Sequence, residues 1–592
     1  MDFRRAGFLP AISGDVEIRP AKNSCFLRGI AIDEETTRLA HILQAEMGTG
    51  LESVALVFET EAALFVVILG VLKAGRPFVY CEPTDPPARI ETILSLSQPG
   101  FVLTSDRLRD QIHDYLPSGY RLVTLEWLLA REAPLLKLPL RGKSKIAYIN
   151  FTSGSTGHPK GVITTHTEIV QHSDRWMHCF AITDQDRFAL LRPALRLVFG
   201  ALLAGAALHI WDYKRKGTLQ LAGWLERQSI TAFYSGPTIL RHFLQGLMAP
   251  LALPHLRLVL ESGEALYRSD VELYQKLFDP IPQLANLLMS RETGLIRCYY
   301  VDPKTPLETE VVPVGYAVDG VHVQLLDETG MPVSLGDVGE IAVQSESTFA
   351  GYWQEPELTR TRFGPDINGR PLYLTGDRGR MGPDNCLFFL GRKDSQLKIR
   401  GYRVEPEEIE EAIRRLAVAP DVAVAARKTE SGETRLIGYL AMHGWPHPTV
   451  SSIRRQLAQS LPAYLIPSAF VVLDALPLNA NSRLDRRALP LPTDSRPTLE
   501  ISFVAPTTPI EHTLAAIWTE ILGLDAVGIH DPFFDLGGNS LQAMRIAARV
   551  QDEFGVEMPL TELFAAGTVA EMALVVMVEL TSDTGMTELI DG

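Results

Sequence analysis

The chain has 592 residues, 46% of them apolar and 21% charged, which is ordinary soluble composition in a length too great for a single core. A formal net charge of −15 argues against a nucleic-acid partner. Five scattered cysteines, Cys25, Cys81, Cys179, Cys298 and Cys386, form no CxxC pair; that excludes a zinc ribbon or disulfide framework and fits reduced thiols in the cytoplasm. No apolar run follows Arg4 and Arg5, so no signal peptide is expected. The most apolar stretch, 62 to 74, is too short to span a bilayer, and no membrane partner is expected. Residues 1 to about 31 carry no usable pattern. The spacing predicts a helix over 36–47, a strand over 54–58, and a helix over 62–74 that stops at Gly75. LKAGRPFVY (72 to 80) then reads helix, glycine, strand.

The run FTSGSTGHPKGV (151 to 162) follows the strand end INF. Its glycines allow a tight turn whose backbone N–H groups converge on an anion, its hydroxyls add donors, and Lys160 adds a point charge. This is a phosphate cradle by its chemistry, although the spacing is neither that of a GxxxxGK loop nor that of GxGxxG after a strand. A Ser/Gly-rich surface loop is the plain alternative.

FTSGSTGHPKGV resembles the phosphate loop of the adenylate-forming (AMP-binding) enzymes: acyl-CoA ligases, luciferases and the adenylation domains of nonribosomal peptide synthetases. The resemblance implies ATP, a carboxylic acid and an acyl-AMP intermediate. It assigns Thr152, Ser153, Gly154, Ser155, Thr156, Gly157 and Lys160 to the nucleotide, and it extends back to Asp85, Pro86, Pro87, Arg89 and Ile90. After the loop comes a helix with His166, then alternating helices and strands to about 263, as in a layered α/β domain.

In the family an FDxS-like stretch precedes FGALLAGAAL (199 to 208), and its aspartate pairs with the α-amino group of an amino-acid substrate. Here the chain reads LLRPALRLVFGALL, and the motif is absent, as though deleted. A buried ammonium needs a carboxylate partner, so a free α-amino acid is a less secure substrate. Glu261 could supply a carboxylate or be solvated. By position in the family pattern, Tyr234, Leu260, Ser262, Leu287, Leu295 and Ile296 would line the acyl pocket; as plain core residues they would look the same.

LLMSRETG (287 to 294) falls at the family's YGPTE segment. Glu292 matches the acid that holds Mg²⁺, an oxygen ligand beside phosphates. Leu288 stands where an aromatic ring usually stacks on adenine, and Arg291, in place of threonine, could reach phosphate. Residues 312–330 alternate as strands with a turn at 328–330. YLTGDRGR (373 to 380) resembles YRTGDLAR, which would make Asp377, at a fixed turn, the acceptor for the ribose hydroxyls.

GRKDSQLKIRGYRVEPEEIE (391 to 410) is similar to the family's hinge region. It implies Asp394 as the hinge, Arg392 at the nucleotide, and Gly401 where a thiol arm must pass. LPAYLIPSAFVVLDALPLNANSRLDRRAL (461 to 489) resembles the family's closing stretch, with Arg483 in place of the lysine that stabilises charge during adenylation. A Pro/Thr/Ser-rich stretch, 491–509, reads as a linker. Apolar spacing then predicts a helix over 510–522, and HDPFFDLGGNSLQAMRIAARV (530 to 550) resembles a carrier protein whose Ser540 takes 4′-phosphopantetheine at a helix N-terminus. The last twelve residues read as an acidic tail.

The expected fold class is α/β multi-domain: a layered α/β adenylation core (1–393), a small α/β lobe (394–492), a linker (493–507), an all-α four-helix carrier domain (508–580) and a tail (581–592). The expected activity is ATP- and Mg²⁺-dependent loading of a carboxylic acid, an amino acid in the first instance, onto the chain's own phosphopantetheine, with Arg483, Glu292 and Lys160 in catalytic roles. Expected partners are a small carboxylic acid, a phosphopantetheinyl transferase and a downstream condensation or tailoring enzyme in trans. Two rivals stay open. One is an acyl ligase for an aryl, hydroxy or fatty acid. The other is a weakened adenylation scaffold whose carrier is loaded in trans, given Leu288, Arg291, Arg483 and the lost aspartate.

Overall fold

Strands VALV (Val54–Val57) and FVLT (Phe101–Thr104) are apolar on both faces, as parallel strands sandwiched between helices must be. They lie in a six-stranded sheet ordered Leu122–Thr124, Phe101–Thr104, Val54–Val57, Phe78–Cys81, Ile146–Thr152, Lys160–Thr165. Alternate side chains serve opposite cores. Val54 and Leu56 pack with the helices Gly29–Met47 and Ala62–Lys73, while Ala55 and Val57 pack with Pro87–Ser97 and Asp106–His113. The last pair of strands is antiparallel and forms the hairpin from which the phosphate loop springs. The computed structural model describes residues 18–19, 29–48, 50, 52–59, 62–132, 145–152, 159–191, 194–218, 220–247, 249–301, 307, 309–345, 350–366, 369–393, 397–399, 402–428, 434–442, 449–477, 484–486, 488–556 and 567–587.

A second sheet, of eight strands, runs Ile18–Arg19, Ala207–Ile210, Arg187–Leu190, Ala232–Ser235, Leu258–Ser262, Gln283–Ser290, Gly294–Val301, Tyr316–Ala317. It is parallel up to Gln283–Ser290 and antiparallel beyond it. Helices His166–Phe180 and Leu195–Ala204 share one apolar core with both sheets, which fixes the two sheets against each other. An antiparallel five-stranded sheet, with Pro371–Met381 as its longest strand, closes the core. The small lobe holds the hairpin Leu397–Ile399/Tyr402–Val404, the helix Pro406–Arg415 and a three-stranded sheet. The carrier domain shows the helices Pro509–Leu522, Ser540–Phe554 and Val569–Thr587 around Trp518 and Leu514.

Four expectations change. Residues Ile18 and Arg19, inside the unpatterned start, add an edge strand to the second sheet. Asp377 sits not at a turn but within a continuous strand, beside a bulge that re-aims its side chain. The segment read as a tail is helical as far as Thr587. The stretch read as a linker is tied to the carrier: Arg496 forms two hydrogen bonds, 2.6 and 2.7 Å, to the fully buried Asp531, and Leu499 enters the carrier core.

Candidate active site

Register in the first hairpin sets Thr152 opposite Lys160, both buried. Lys160 therefore lies on a strand, its ammonium held at the loop's exit. Gly161 beside it allows a close approach, since a Cβ there would stand 2.8 Å from Ile149 Cγ2 and 3.1 Å from Trp353 Cβ. That approach lets Val162 pair with Tyr352 and Trp353 N–H donate to Gly161 O at 2.7 Å. The Tyr352 ring lies 5.5 Å from Lys160 Nζ, and its hydroxyl donates to Glu292 Oε1 at 2.9 Å. Lys160, Tyr352 and Glu292 thus form one connected group. Residues Ser153, Gly154, Ser155, Thr156 and Gly157 of the loop lie outside the described residues.

Glu292 is 1% exposed and occupies the turn between Gln283–Ser290 and Gly294–Val301. Ser290 Oγ accepts from Thr293 N at 2.9 Å, and Gly294 takes a positive φ of 74° that a side chain would strain. A buried carboxylate beside a lysine suits a hard divalent cation shared with phosphate oxygens, so the donor chemistry fits Mg²⁺. Arg291 is exposed at the same turn and faces the interlobe cleft.

Asp377 and Arg392 are brought together by register, and Arg392 Nη1 donates to Asp377 Oδ1 at 2.6 Å with both side chains under 10% exposed. Asp394, Gly401 and Arg483 lie outside the described residues. The strands flanking Gly401 are described, and Ile399 and Tyr402 both face the cleft. Tyr402 stacks on Tyr464, ring centroids 4.0 Å apart. Beside them the lobe docks on the core through a buried pair, Arg89 Nη1 to Glu408 Oε1 at 3.0 Å. Burial pushes the Glu408 carboxyl up and Arg89 opposes that shift.

The six residues assigned to the acyl pocket fall on four adjacent strands. Tyr234 and Ser262 hydroxyls lie 2.7 Å apart, and Leu260, Leu287, Leu295 and Ile296 are buried. Leu288 is buried in the same core. Glu261 is fully buried and accepts a hydrogen bond from Ser235, so the solvated alternative does not hold. Across the hairpin stand three groups that sequence reasoning left unassigned: His172 and Arg175 on helix His166–Phe180, and Arg196 on helix Leu195–Ala204. Arg196 Nη2 donates to Arg291 O at 2.5 Å. Arg175 Nη1 donates to His172 Nδ1 at 3.3 Å. Burial, then the charges of Arg196 and Arg175, hold His172 well below the usual imidazole range.

One cleft of about 840 Å³ runs between the core and the lobe. Asn150, Phe151, Thr152 and Arg291 line it from the core, and Ile399, Tyr402 and Tyr464 from the lobe. Gly538 and Asn539, the residues just before Ser540, line its far end. Ser540 begins its helix, as expected. Tyr352 is the residue the sequence concealed: it enters from a segment remote from both partners, and an aromatic pair ahead of Glu355-Pro356 signals only a turn.

A family model described as "AMP-binding enzyme" matches residues 31–353, and one described as "Phosphopantetheine attachment site" matches 512–576. Tyrocidine synthase 3 of Brevibacillus parabrevis is 32% identical over 92% of this chain and 8% of its own length. Tyrocidine synthase 1 of the same organism is 32% identical over 92% of this chain and 50% of its own length. The chain therefore spans half or less of these curated relatives. Among solved structures, holo-PA1221, "an NRPS protein containing adenylation and PCP domains bound to vinylsulfonamide inhibitor", superposes with a TM-score of 0.76 at 25% identity, covering 94% of this chain and 92% of that one.

Proposed function

The chain belongs to the AMP-binding enzymes and carries a phosphopantetheine attachment domain, and on that premise we propose that it activates a carboxylic acid with ATP and loads it onto its own Ser540 arm. In the first half-reaction an acid carboxylate attacks the α-phosphorus of ATP and pyrophosphate leaves. The chain's part is positioning and charge stabilisation. Lys160 holds the phosphates, Tyr352 fixes the Glu292 carboxylate, and the Asp377–Arg392 pair presents an oriented acceptor to the ribose. Mg²⁺, when bound at Glu292, would neutralise phosphate charge. Arg483 would add charge during adenylation, Asp394 would serve as the hinge between core and lobe, and Gly401 would leave room for the arm.

A phosphopantetheine on Ser540, installed by a phosphopantetheinyl transferase, supplies the thiol for the second half-reaction. The cleft that reaches from Thr152 to Asn539 carries this reading, because it gives that arm a path between the two sites on one chain. The thioester then serves a condensation or tailoring enzyme in trans, and Mg²⁺ and a cytoplasmic setting complete the proposal. Intact-mass spectrometry of the phosphopantetheinylated protein with ATP, Mg²⁺ and pooled acids tests it. A mass gain that requires ATP and is lost in Ser540→Ala is the expected result. No gain with any acid, on a protein whose Ser540 accepts the arm, would point to a scaffold loaded in trans.

A further inference from the structure

The acyl side of the site carries buried donors that no described residue satisfies. Arg196 Nη1 is shut away from solvent without a hydrogen-bond partner among the described residues, and so is His172 Nε2. The two side chains meet at one place. A Cβ on Gly294 would lie 2.8 Å from Arg196 Nη1, 2.6 Å from His172 Nδ1 and 2.7 Å from its Cε1. Because Arg175 donates to Nδ1, the neutral His172 ring carries its proton on Nε2, which makes that nitrogen a second donor. An unmet buried donor costs free energy, more so when it is charged, so two together ask for an acceptor that the described residues do not supply.

The charge balance names the acceptor. Two guanidinium groups, Arg196 and Arg175, act on His172; Glu168, one turn earlier on the same helix, has its carboxyl pushed up by burial and feels Arg196. The stretch that would have supplied a carboxylate for a substrate ammonium, LLRPALRLVFGALL, supplies Arg196 instead. Gly294, beside Leu295, has no side chain, which lets His172 and Arg196 approach its backbone closely. Resting on the proposed adenylation activity, we propose that the acid activated here is a dicarboxylic acid, whose second carboxylate accepts hydrogen bonds from Arg196 Nη1 and His172 Nε2. Its first carboxylate is the one that attacks ATP. A carboxylate accepts from two donors at once, and a charged acceptor suits a guanidinium donor.

The phosphates of ATP could meet the same donors, and the test separates the two sources. Pyrophosphate exchange by the full chain is measured with succinate, glutarate, adipate and phthalate, each against its monomethyl ester. The best diacid should exceed its ester in kcat/KM by about ten- to hundredfold, the range expected for hydrogen bonds to a charged group. Arg196→Met should remove that difference by lowering the diacid rate alone, and Arg196→Lys should restore part of it. Equal rates for diacids and esters would overturn the proposal, as would an Arg196→Met protein whose KM for ATP rises equally with every acid. Should no acid support exchange, ligand-induced thermal shift decides: a rise in Tm with a diacid in the wild type, absent in Arg196→Met, keeps the dicarboxylate site and removes the adenylation reading. No rise removes both. The ligand-free melt of each variant checks its fold.

Discussion

The two sides of this site are built in opposite ways. On the proposed nucleotide side the charged groups hold one another: Tyr352 joins Lys160 to Glu292, and Arg392 grips Asp377. On the proposed acyl side, across a single hairpin, Arg196 and His172 keep donors for which the described residues offer no acceptor. The difference has a physical reason. A cosubstrate that never varies can be met by groups already locked in place, so little reorganisation is needed when it binds. An acid that defines specificity must complete the site itself, and a wrong acid then leaves buried donors unmet.

The hardest test of that contrast strikes the nucleotide side. Lys160→Met or Glu292→Gln should lower pyrophosphate exchange by about 10²- to 10³-fold, the loss typical of removing one preorganised charge or donor. The loss should be the same for every acid. A loss that depended on the acid would show that the two sides are not separate, and the contrast would fail.

Arg89→Met is next in size. Its partner Glu408 is 5% exposed, and a buried carboxylate stripped of its cation costs about 3–5 kcal/mol in typical cases. This pair joins the lobe to the core at the cleft that Asn539 also lines. Thioester loading should therefore fall by at least about tenfold, while exchange, which does not need the carrier at the cleft, changes less. Arg89→Met/Glu408→Leu should recover most of the loading, since removing both charges removes the stranded one. Equal loss in both half-reactions would show that the clamp serves the whole fold rather than this docked state. Tyr352→Phe is smaller, about tenfold on exchange with every acid, because one hydrogen bond to a charged group is lost and the ring stays.

These residues also mark how far the sequence could be read. The strand that leads into the glycine-rich run was readable because the apolar INF directly precedes glycines, hydroxyls and a lysine, while Ser153 to Gly157 of that run lie outside the described residues. The carrier helix opening at Ser540 was readable for the same local reason. Tyr352 was not, since its contact with Glu292 crosses 60 positions and rests on the bridge to Val162. The loss of an aspartate before FGALLAGAAL was visible, but what stood in its place was not. Arg196 carries no signal of its own in the sequence until the fold sets it beside His172. Burial of Glu261 and the strap from Arg496 to Asp531 were hidden likewise, because composition cannot say which polar residue finds a partner.

The smallest effect is thermodynamic, and it sharpens the contrast by placing it on one helix. His172 is held well below the usual imidazole range, chiefly by burial, and His166 at the same helix's start is held down to about 4 by burial. A lowered folded-state value means the unfolded chain takes up protons that the folded chain refuses. The core's stability is then fully present above the unfolded value near 6.5 and drains as pH falls toward the folded values. Each histidine contributes about 1.4 kcal/mol per pH unit within that window. The carrier domain has a different limit. Glu511, capping its first helix through the backbone of Thr508 and Thr507, is held down to about 2, so that cap persists above the usual glutamate range and is lost only as pH falls toward 2. Denaturant unfolding at pH 7 and pH 5 should show the core weakened and the carrier unchanged, with the slope reduced in His172→Phe. A dicarboxylate at saturating concentration should raise the core's stability at both pH values, because its second carboxylate would pair with Arg196 whether or not His172 is protonated. A core that loses no more stability than the carrier between those values would mean that His172 and His166 are charged in the fold, and that the acyl corner carries a cation more than its geometry allows.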